Sequence, residues 1–456
     1  MKKLLLLLGY SISISGLYAQ GWGEFGVGLA GLNANGQIIS VVSDNTGAVY
    51  ASGAFVLSGE RNVYKWGSTH WEQLGNLNAN GWFAAMCLDA ANNLYVAGDF
   101  NNSFGNRYVA KWNGTSWGQV GTGANMLLAD STVWTICMGN AGNIFAAGDF
   151  RNSTGYNYVA RWNGSTWSEA GAGFGALNAN GRINKICSDP LGNVYAAGYF
   201  NEGTAKYFVA RWDHSLNTWT KIGSYFNGPV LSLCAGNDGT IYSGGGFTDN
   251  NGYAYVARWD GIVWNQTGIG ANAMNVPGII FDISAGKNGN VFAGGTFQNT
   301  LGFRYVAYWN GIKWGELGDT TTRLNANSSI FTIFADTISG NVYAAGDFTN
   351  DNGKYYVAKY KMPSTSDIED VAVTERISIY PNPANGKINI EAKNIDAEHL
   401  VISITDIAGK ILLHQNVEYN NRHISAVLNI KALFPGMYFV TLKTETRQYV
   451  TKIVKQ

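Results

Sequence analysis

The chain has 456 residues and no net formal charge, with 31 Lys and Arg against 31 Asp and Glu, and only 14% of its residues are charged. Such a balance lacks the electrostatic footprint of a nucleic-acid or anionic-membrane binder, and 46% apolar content excludes a disordered polymer. Fifty-eight glycines and 13% aromatic residues point to many short strands and tight turns, in a chain long enough for one large repeat domain and a smaller one.

Residues 1–19 read as an export signal. Lys2 and Lys3 form a charged start, Leu4 to Leu8 open a short apolar core, and Ala19 before Gln20 offers a cleavage point. No Cys follows the signal, so a lipid anchor is not indicated. No later segment reaches the roughly 18 apolar residues of a transmembrane helix.

Residues 20–360 are expected to form a repeat domain. A Gly-x-Phe-like element places its aromatic at Phe55, Phe100, Phe150, Phe200, Phe247, Phe297 and Phe348. A second anchor ends Tyr-Val-Ala-x-Trp-like runs at Trp66, Trp112, Trp162, Trp212, Trp259, Trp309 and Tyr360. Each repeat resolves into four strand-like runs joined by polar turns, many of them Asn-Gly or Asp-Gly. Four antiparallel strands in 45–51 residues, seven times over, is the arithmetic of a seven-bladed β-propeller. The predicted fold class is therefore all-β.

Closure is legible from a missing residue. A fourth-strand Trp occurs at Trp71, Trp117, Trp167, Trp219, Trp264 and Trp314, none follows Tyr360, and an unmatched one stands ahead of the first repeat at Trp22. Residues 21–27 are thus expected to supply the outermost strand of the last blade and leave no open sheet edge. The pattern resembles kelch-type propeller repeats, most closely in Ala210-Arg211-Trp212-Asp213 followed by Trp219. Gly244-Gly245 and Gly294-Gly295 keep that family's paired glycines, and Ala197-Gly198 and Ala345-Gly346 depart from them. The resemblance implies a fold and no ligand.

Chemistry-bearing residues in the repeats are sparse. Cys87, Cys137, Cys187 and Cys234 share one first-strand position, held elsewhere by Val42, Ser284 and Phe334, which marks a packing site. Buried free thiols are expected, with disulfides between neighbouring blades as the alternative. Most acids recur at fixed structural positions of the repeat, and the repeats carry only His70 and His214, so no His-centred site or facing carboxylate pair stands out. No cofactor and no metal are called for. Asp249-Asn250-Asn251-Gly252 and Asn350-Asp351-Asn352-Gly353 lack the bidentate Glu of a recognised Ca²⁺ loop.

Two features remain as candidate ligand-binding elements. The middle of the first strand, which lines a propeller's channel, reads Ser40, Ala85, Thr135, Lys185, Ser232, Asp282, Thr332, so Lys185 and Asp282 are the charges facing ligand or water. The motif Leu-Asn-Ala-Asn recurs before first strands and ends at Asn35, Asn80, Asn180 and Asn327. These asparagines offer hydrogen bonds to sugar hydroxyls or peptide groups, or serve turn conformation alone.

Residues 361–375, with Pro363-Ser364-Thr365-Ser366-Asp367, have linker character. Beyond them charge density rises and glycine falls to three positions, Gly386, Gly409 and Gly436. Residues 376–456 alternate apolar and polar positions, as in Ile377–Tyr380, Lys387–Ile390, Val401–Ile404, Met437–Val440 and Tyr449–Val454, which predicts a small C-terminal β-sandwich. Tyr380-Pro381-Asn382-Pro383, then Asp406-Ile407-Ala408-Gly409-Lys410, then Pro435-Gly436-Met437-Tyr438, with Lys452 and Lys455 at the end, resemble the type A sorting domain of the type IX secretion system. Lys410 stands where that family commonly has Arg. The resemblance implies recognition by the type IX machinery, passage to the cell surface or the exterior, and a Bacteroidetes-type source.

The combined expectation is a secreted or cell-surface propeller that acts as a non-enzymatic binding module for a glycan or protein ligand. Its rival is a polysaccharide-active hydrolase or lyase working at the channel mouth, and a mainly structural surface-layer role is a third possibility.

Overall fold

The computed structural model describes residues 21–362, 376–393, 400–406, 411–417, 423–443 and 448–456. The expected signal at 1–19, most of the linker, and Gly409 and Lys410 of the sorting motif lie outside the described residues. The chain divides into two compact units, Met1–Met362 and Pro363–Gln456.

Among the described residues, the first unit contains seven four-stranded antiparallel sheets. The third of them runs Val133–Met138, Ile144–Gly148, Ala160–Trp162 and Trp167–Glu169. Its second strand is buried along its whole length. Ile144 and Ala146 pack with Tyr95 and Ala97 of the preceding sheet, while Phe145 and Ala147 pack with Ile183 and Ile186 of the following one. A strand covered on both faces needs apolar residues on both, which is why these second strands read as continuous runs. The repeat phenylalanines are fully buried plugs. Phe150 meets Tyr158 edge-on at 4.9 Å, and Phe100 meets Tyr108 in the same way at 4.8 Å.

A register shift recurs in every first strand, between Ile38 and Ser40, Val133 and Thr135, or Ile280 and Asp282. Such a bulge re-aims the extra residue. It also drives a backbone carbonyl onto the end of the second strand, so a Cβ at Gly148 would overlap the oxygen of Thr132. Glycine at this place is a packing requirement.

The N-terminal strand Trp22–Glu24 is the outer member of the last sheet, paired with Ala358–Lys361 through Trp22 opposite Tyr360. Indole N–H groups then link sheet to sheet. Trp71 donates to the carbonyl of Phe25, Trp117 to Leu74, Trp167 to Val120, and Trp219 to Ala170. Trp264 donates to Ile222, Trp314 to Thr267, and Trp22 to Leu317, at distances of 2.7 to 3.2 Å across the set. Each tryptophan reaches the sheet before its own, and Trp22 and Phe25 join the last sheet into the circuit. Inside this outer circuit the first strands pack side by side in series, the last against the first.

The second unit holds a three-stranded sheet (Arg376–Tyr380, Lys387–Lys393, His423–Asn429) and a four-stranded one (Leu400–Thr405, Ile411–Val417, Gly436–Lys443, Gln448–Lys455). Ile388, Ile390, Ile402, Ile404, Val440 and Ile453 of the two sheets share one core. Ile411–Val417 and His423–Asn429 were not expected as strands. Both lie at sheet edges.

Candidate functional site

The inner ring of first strands surrounds a cavity of about 530 Å³ whose lining includes Trp82, Trp134, Lys185, Phe281, Asp282 and Phe331. The bulges explain the location. Trp134, Phe281 and Phe331 are the extra residues at three register shifts, and each is only half-buried where its strand neighbours are buried. Trp82 precedes Phe83, the first residue of its strand.

The aromatic residues gather on two sides. Trp82 and Trp134, from neighbouring sheets, have centroids 4.9 Å apart with planes tilted by 57°. The Arg182 guanidinium lies 4.2 Å from the Trp134 ring centre and 5.7 Å from that of Tyr199. Asp149 fixes this stack from behind. One carboxylate oxygen accepts the Trp134 indole N–H at 2.8 Å and the other accepts Arg182 Nε–H at 3.1 Å. Phe281 and Phe331 meet edge-on at 5.6 Å.

The polar part of the lining is a network across four sheets. Lys185 Nζ donates to Asp282 Oδ1 at 3.0 Å, and Ser232, from the sheet between theirs, donates to the same oxygen at 2.8 Å. Asp282 Oδ2 accepts the backbone N–H of Ile333 at 3.0 Å. Asp282 is buried, while the Lys185 side chain stays 35% accessible. Burial works to lower the Lys185 pKa, but the charge of Asp282 and its hydrogen bond carry it above the ordinary lysine value. Ser40 and Thr135, in the same row, accept backbone N–H groups of Met86 and Ile186 in the next sheet. The row therefore ties first strands together, and Lys185 and Asp282 are its charged members.

The repeated asparagines take a structural position. The side-chain oxygens of Asn35, Asn80, Asn180 and Asn327 accept the backbone N–H groups of Val56, Asn101, Asn201 and Thr349 at 2.8 to 2.9 Å. Asp130 and Asn227 do the same to Arg151 and Thr248. Each clamp joins the loop before a first strand to the segment after the second. In three of the four motifs the earlier asparagine, Asn33, Asn78 or Asn178, sits at positive φ, which Asn tolerates better than most residues. Buried Ala34 and Ala179 between them pair with the neighbouring sheets at Tyr355 and Asn157. Leu-Asn-Ala-Asn is thus a sheet-to-sheet connector whose asparagine oxygens are engaged within the fold.

The acids are similarly employed. Asp44, Asp89 and Asp189 accept backbone N–H groups of their own turns and the hydroxyls of Tyr50, Tyr95 and Tyr195. Asp249 and Asn350 close hairpin turns onto Tyr253 N and Lys354 N. Among the described residues no three His, Cys, Asp or Glu side chains converge as a metal site. Cys87, Cys137, Cys187 and Cys234 are free thiols, and burial pushes their pKa values up.

In the second unit, Asn382 bridges to the terminal strand, donating to the Lys452 carbonyl and accepting the N–H of Val454, both at 2.9 Å. Pro381 and Pro383 flank it and are exposed. Tyr380 donates to Glu391 at 2.6 Å, and buried Tyr438 donates to the Phe434 carbonyl at 2.8 Å across Pro435 and Gly436. Lys455 is buried beside Ala384, Lys452 is exposed, and Asp406 follows the strand Leu400–Thr405.

Sequence reasoning placed Lys185 and Asp282 in the channel row and passed over Trp82, Trp134, Phe281 and Phe331. The available signal was that Trp82 and Trp134 alone among fifteen tryptophans fall outside the repeat anchors.

Residues 378–456 match the family described as the secretion system C-terminal sorting domain. The tail is a type IX sorting domain, which directs secretion to the cell surface or exterior and is recognised by that machinery. No curated protein matches the chain. Among solved structures, the extracellular domain of a putative one component system from B. thetaiotaomicron is similar at 14% identity and TM-score 0.50, over 95% of this chain and 52% of that one. The chain thus spans about half the length of that relative. The WD40 β-propeller domain of Doa1 is similar at 14% identity and TM-score 0.50, over 76% of this chain and 98% of that one. A puromycin-hydrolyzing peptidase of Mycobacterium tuberculosis reaches TM-score 0.50 at 9% identity, over 79% and 58% of the two chains. At these identities the likeness concerns fold alone: the repeated four-stranded sheets are a β-propeller.

Proposed function

We propose that this chain is a non-enzymatic binding module, a seven-bladed, kelch-like β-propeller that takes its ligand at one mouth of the central channel. In this reading residues 1–19 carry the chain out of the cytoplasm of a Bacteroidetes-type cell. Residues 20–360 form the propeller, residues 361–375 a linker, and residues 376–456 a β-sandwich that the type IX machinery reads. The closed circuit of indole hydrogen bonds supports the blade count.

One observation carries the binding reading. The two tryptophans that serve no repeat position, Trp82 and Trp134, stand together at a cavity of small-ligand size, with Trp134 held by Asp149 and Arg182. Repeat tryptophans are explained by the fold, and these two are not. Asp282 in the lining and Asp149 behind Trp134 are each engaged by a cation and further donors of the fold, and Asp347 by Gln37 and Ser328. That arrangement differs from carboxylates facing one another across a substrate.

The test is a panel of soluble oligosaccharides, peptides and nucleosides titrated into the full-length chain, with tryptophan fluorescence as the signal. Saturable binding by some member, lost in Trp82→Ala, is expected. Binding that Trp82→Ala leaves intact would place the site elsewhere.

A further inference from the structure

Resting on the reading of the channel mouth as a binding site, we infer that its ligand class is the uncharged oligosaccharide. A sugar ring would lie on the Trp82–Trp134 side with its hydroxyls at the Lys185 ammonium.

Three properties of the lining lead there. The first is charge. Lys185 is paired with Asp282 at 3.0 Å, and Arg182, behind the aromatic stack, is paired with Asp149 at 3.1 Å. Each cation is cancelled by its own carboxylate, so neither is free to draw an anion, and the further carboxylate beside the lining, Asp347, is taken up by Gln37 and Ser328. A phosphorylated, uronic-acid or cationic ligand would have to compete with these internal partners.

The second is the chemistry of the walls. Trp82 and Trp134 on one side and Phe281 with Phe331 elsewhere on the rim supply half-exposed aromatic surface. The Lys185 ammonium, with three protons and a side chain still partly accessible, supplies hydrogen-bond donors in one place. A purely apolar ligand would bury this ion pair without replacing its water, which is costly. A pyranose has an apolar C–H face and an edge of hydroxyls, each able to donate and to accept. It satisfies both kinds of surface at once.

The third is rigidity. Trp134 lies against the Arg182 guanidinium at 4.2 Å, its neighbour Trp82 is 4.9 Å away, and Asp149 holds its indole N–H at 2.8 Å. A stacking platform fixed before the ligand arrives loses little conformational freedom on binding. Asp282 is fixed in the same way by Ser232 and Ile333.

The experiment uses the full-length chain and four neutral probes, the hexasaccharides of cellulose, xylan, mannan and chitin. Hexagalacturonate serves as the charged counterpart, and adenosine as a flat aromatic ligand without an oligosaccharide's hydroxyl edge. Binding is followed by fluorescence and calorimetry for the native chain, Trp82→Ala and Lys185→Met, each checked for native melting. We expect at least one neutral hexasaccharide to bind, with a tenfold or greater loss in Trp82→Ala and a several-fold loss in Lys185→Met. If only hexagalacturonate or adenosine binds, and does so through Trp82, the ligand class is wrong and the mouth remains a binding site. Neutral-sugar binding indifferent to both substitutions, or no binding by any probe, overturns the class and the site together.

Discussion

The indole N–H of Trp22 donates to the carbonyl of Leu317 at 3.0 Å, across 295 residues of chain. With Trp71 donating to Phe25 in turn, this bond makes the outer circuit continuous through the N-terminal strand. Removing residues 20–28 is expected to open the last sheet and lower the melting temperature sharply. Trp22→Phe keeps most of the ring and loses only the donor, so it should cost about 1–3 kcal/mol, the penalty for an unpaired, largely desolvated carbonyl. Differential scanning calorimetry separates the two, and an unchanged melt for the deletion would contradict closure.

Asp282 binds three partners from three other sheets, and each must lose something when the carboxylate goes. Asp282→Ala leaves the Ile333 N–H and a partly buried lysine without their acceptor, and a loss of about 3–5 kcal/mol is expected. Lys185→Met should cost much less, because its removal leaves Asp282 still bonded to Ser232 and Ile333. Urea denaturation of both variants and of the double variant measures the coupling, and equal costs for the two would contradict this order.

The Lys185 pKa lies above its ordinary 10.5. A raised folded-state value means that the pair's contribution is fully present below the unfolded pKa and disappears as pH rises through the folded one. The stability advantage of the native chain over Lys185→Met should therefore be flat through neutral and mildly alkaline pH and shrink above about 10.5. Thermal melts across that range provide the check, and an advantage that declined on acidification near neutrality would have the wrong sign.

The Asn180 clamp separates fold from function. Its oxygen holds the N–H of Asn201 at 2.9 Å on an exposed loop, so Asn180→Ala should cost about 1 kcal/mol. It should leave ligand affinity at the mouth unchanged. A large loss of affinity with little change in melting would instead make the asparagine row a contact surface.

Gly148→Ala tests the bulge. The added methyl meets the Thr132 carbonyl oxygen, which the first-strand register shift holds in place, so the backbone itself must move. A loss of about 1–3 kcal/mol is expected. Gly118→Ala, at a position with open space around its Cβ, is the control.

Much of the architecture was legible in advance because it repeats. Seven phenylalanines and seven fourth-strand tryptophans keep one spacing, and the absence of a tryptophan after Tyr360 pointed to Trp22 as its partner. The tail was legible through Tyr380-Pro381-Asn382-Pro383 and the motifs after it. The mouth was less so. Whether Trp134 faces a core or a channel depends on a one-residue bulge, and a bulge is a relation between two strands that neither strand's composition displays. The asparagines were only partly legible for a related reason. Asn180 looks like an exposed donor and acceptor until its partner, a backbone N–H 21 residues away, is known. Lys185 and Asp282 stood out as charges in an uncharged row, but their bond to each other spans a chord of the ring.

The most direct measurement of the account is the indole ¹H–¹⁵N spectrum of the full-length chain, assigned by single Trp→Phe substitutions, during titration with the tightest-binding neutral hexasaccharide. The signals of Trp82 and Trp134 should shift progressively and saturate together, while those of Trp22, Trp71, Trp117, Trp167, Trp219, Trp264 and Trp314 stay in place. Shifts confined to those seven outer tryptophans, with Trp82 and Trp134 unmoved at saturation, would contradict a ligand site at the channel mouth.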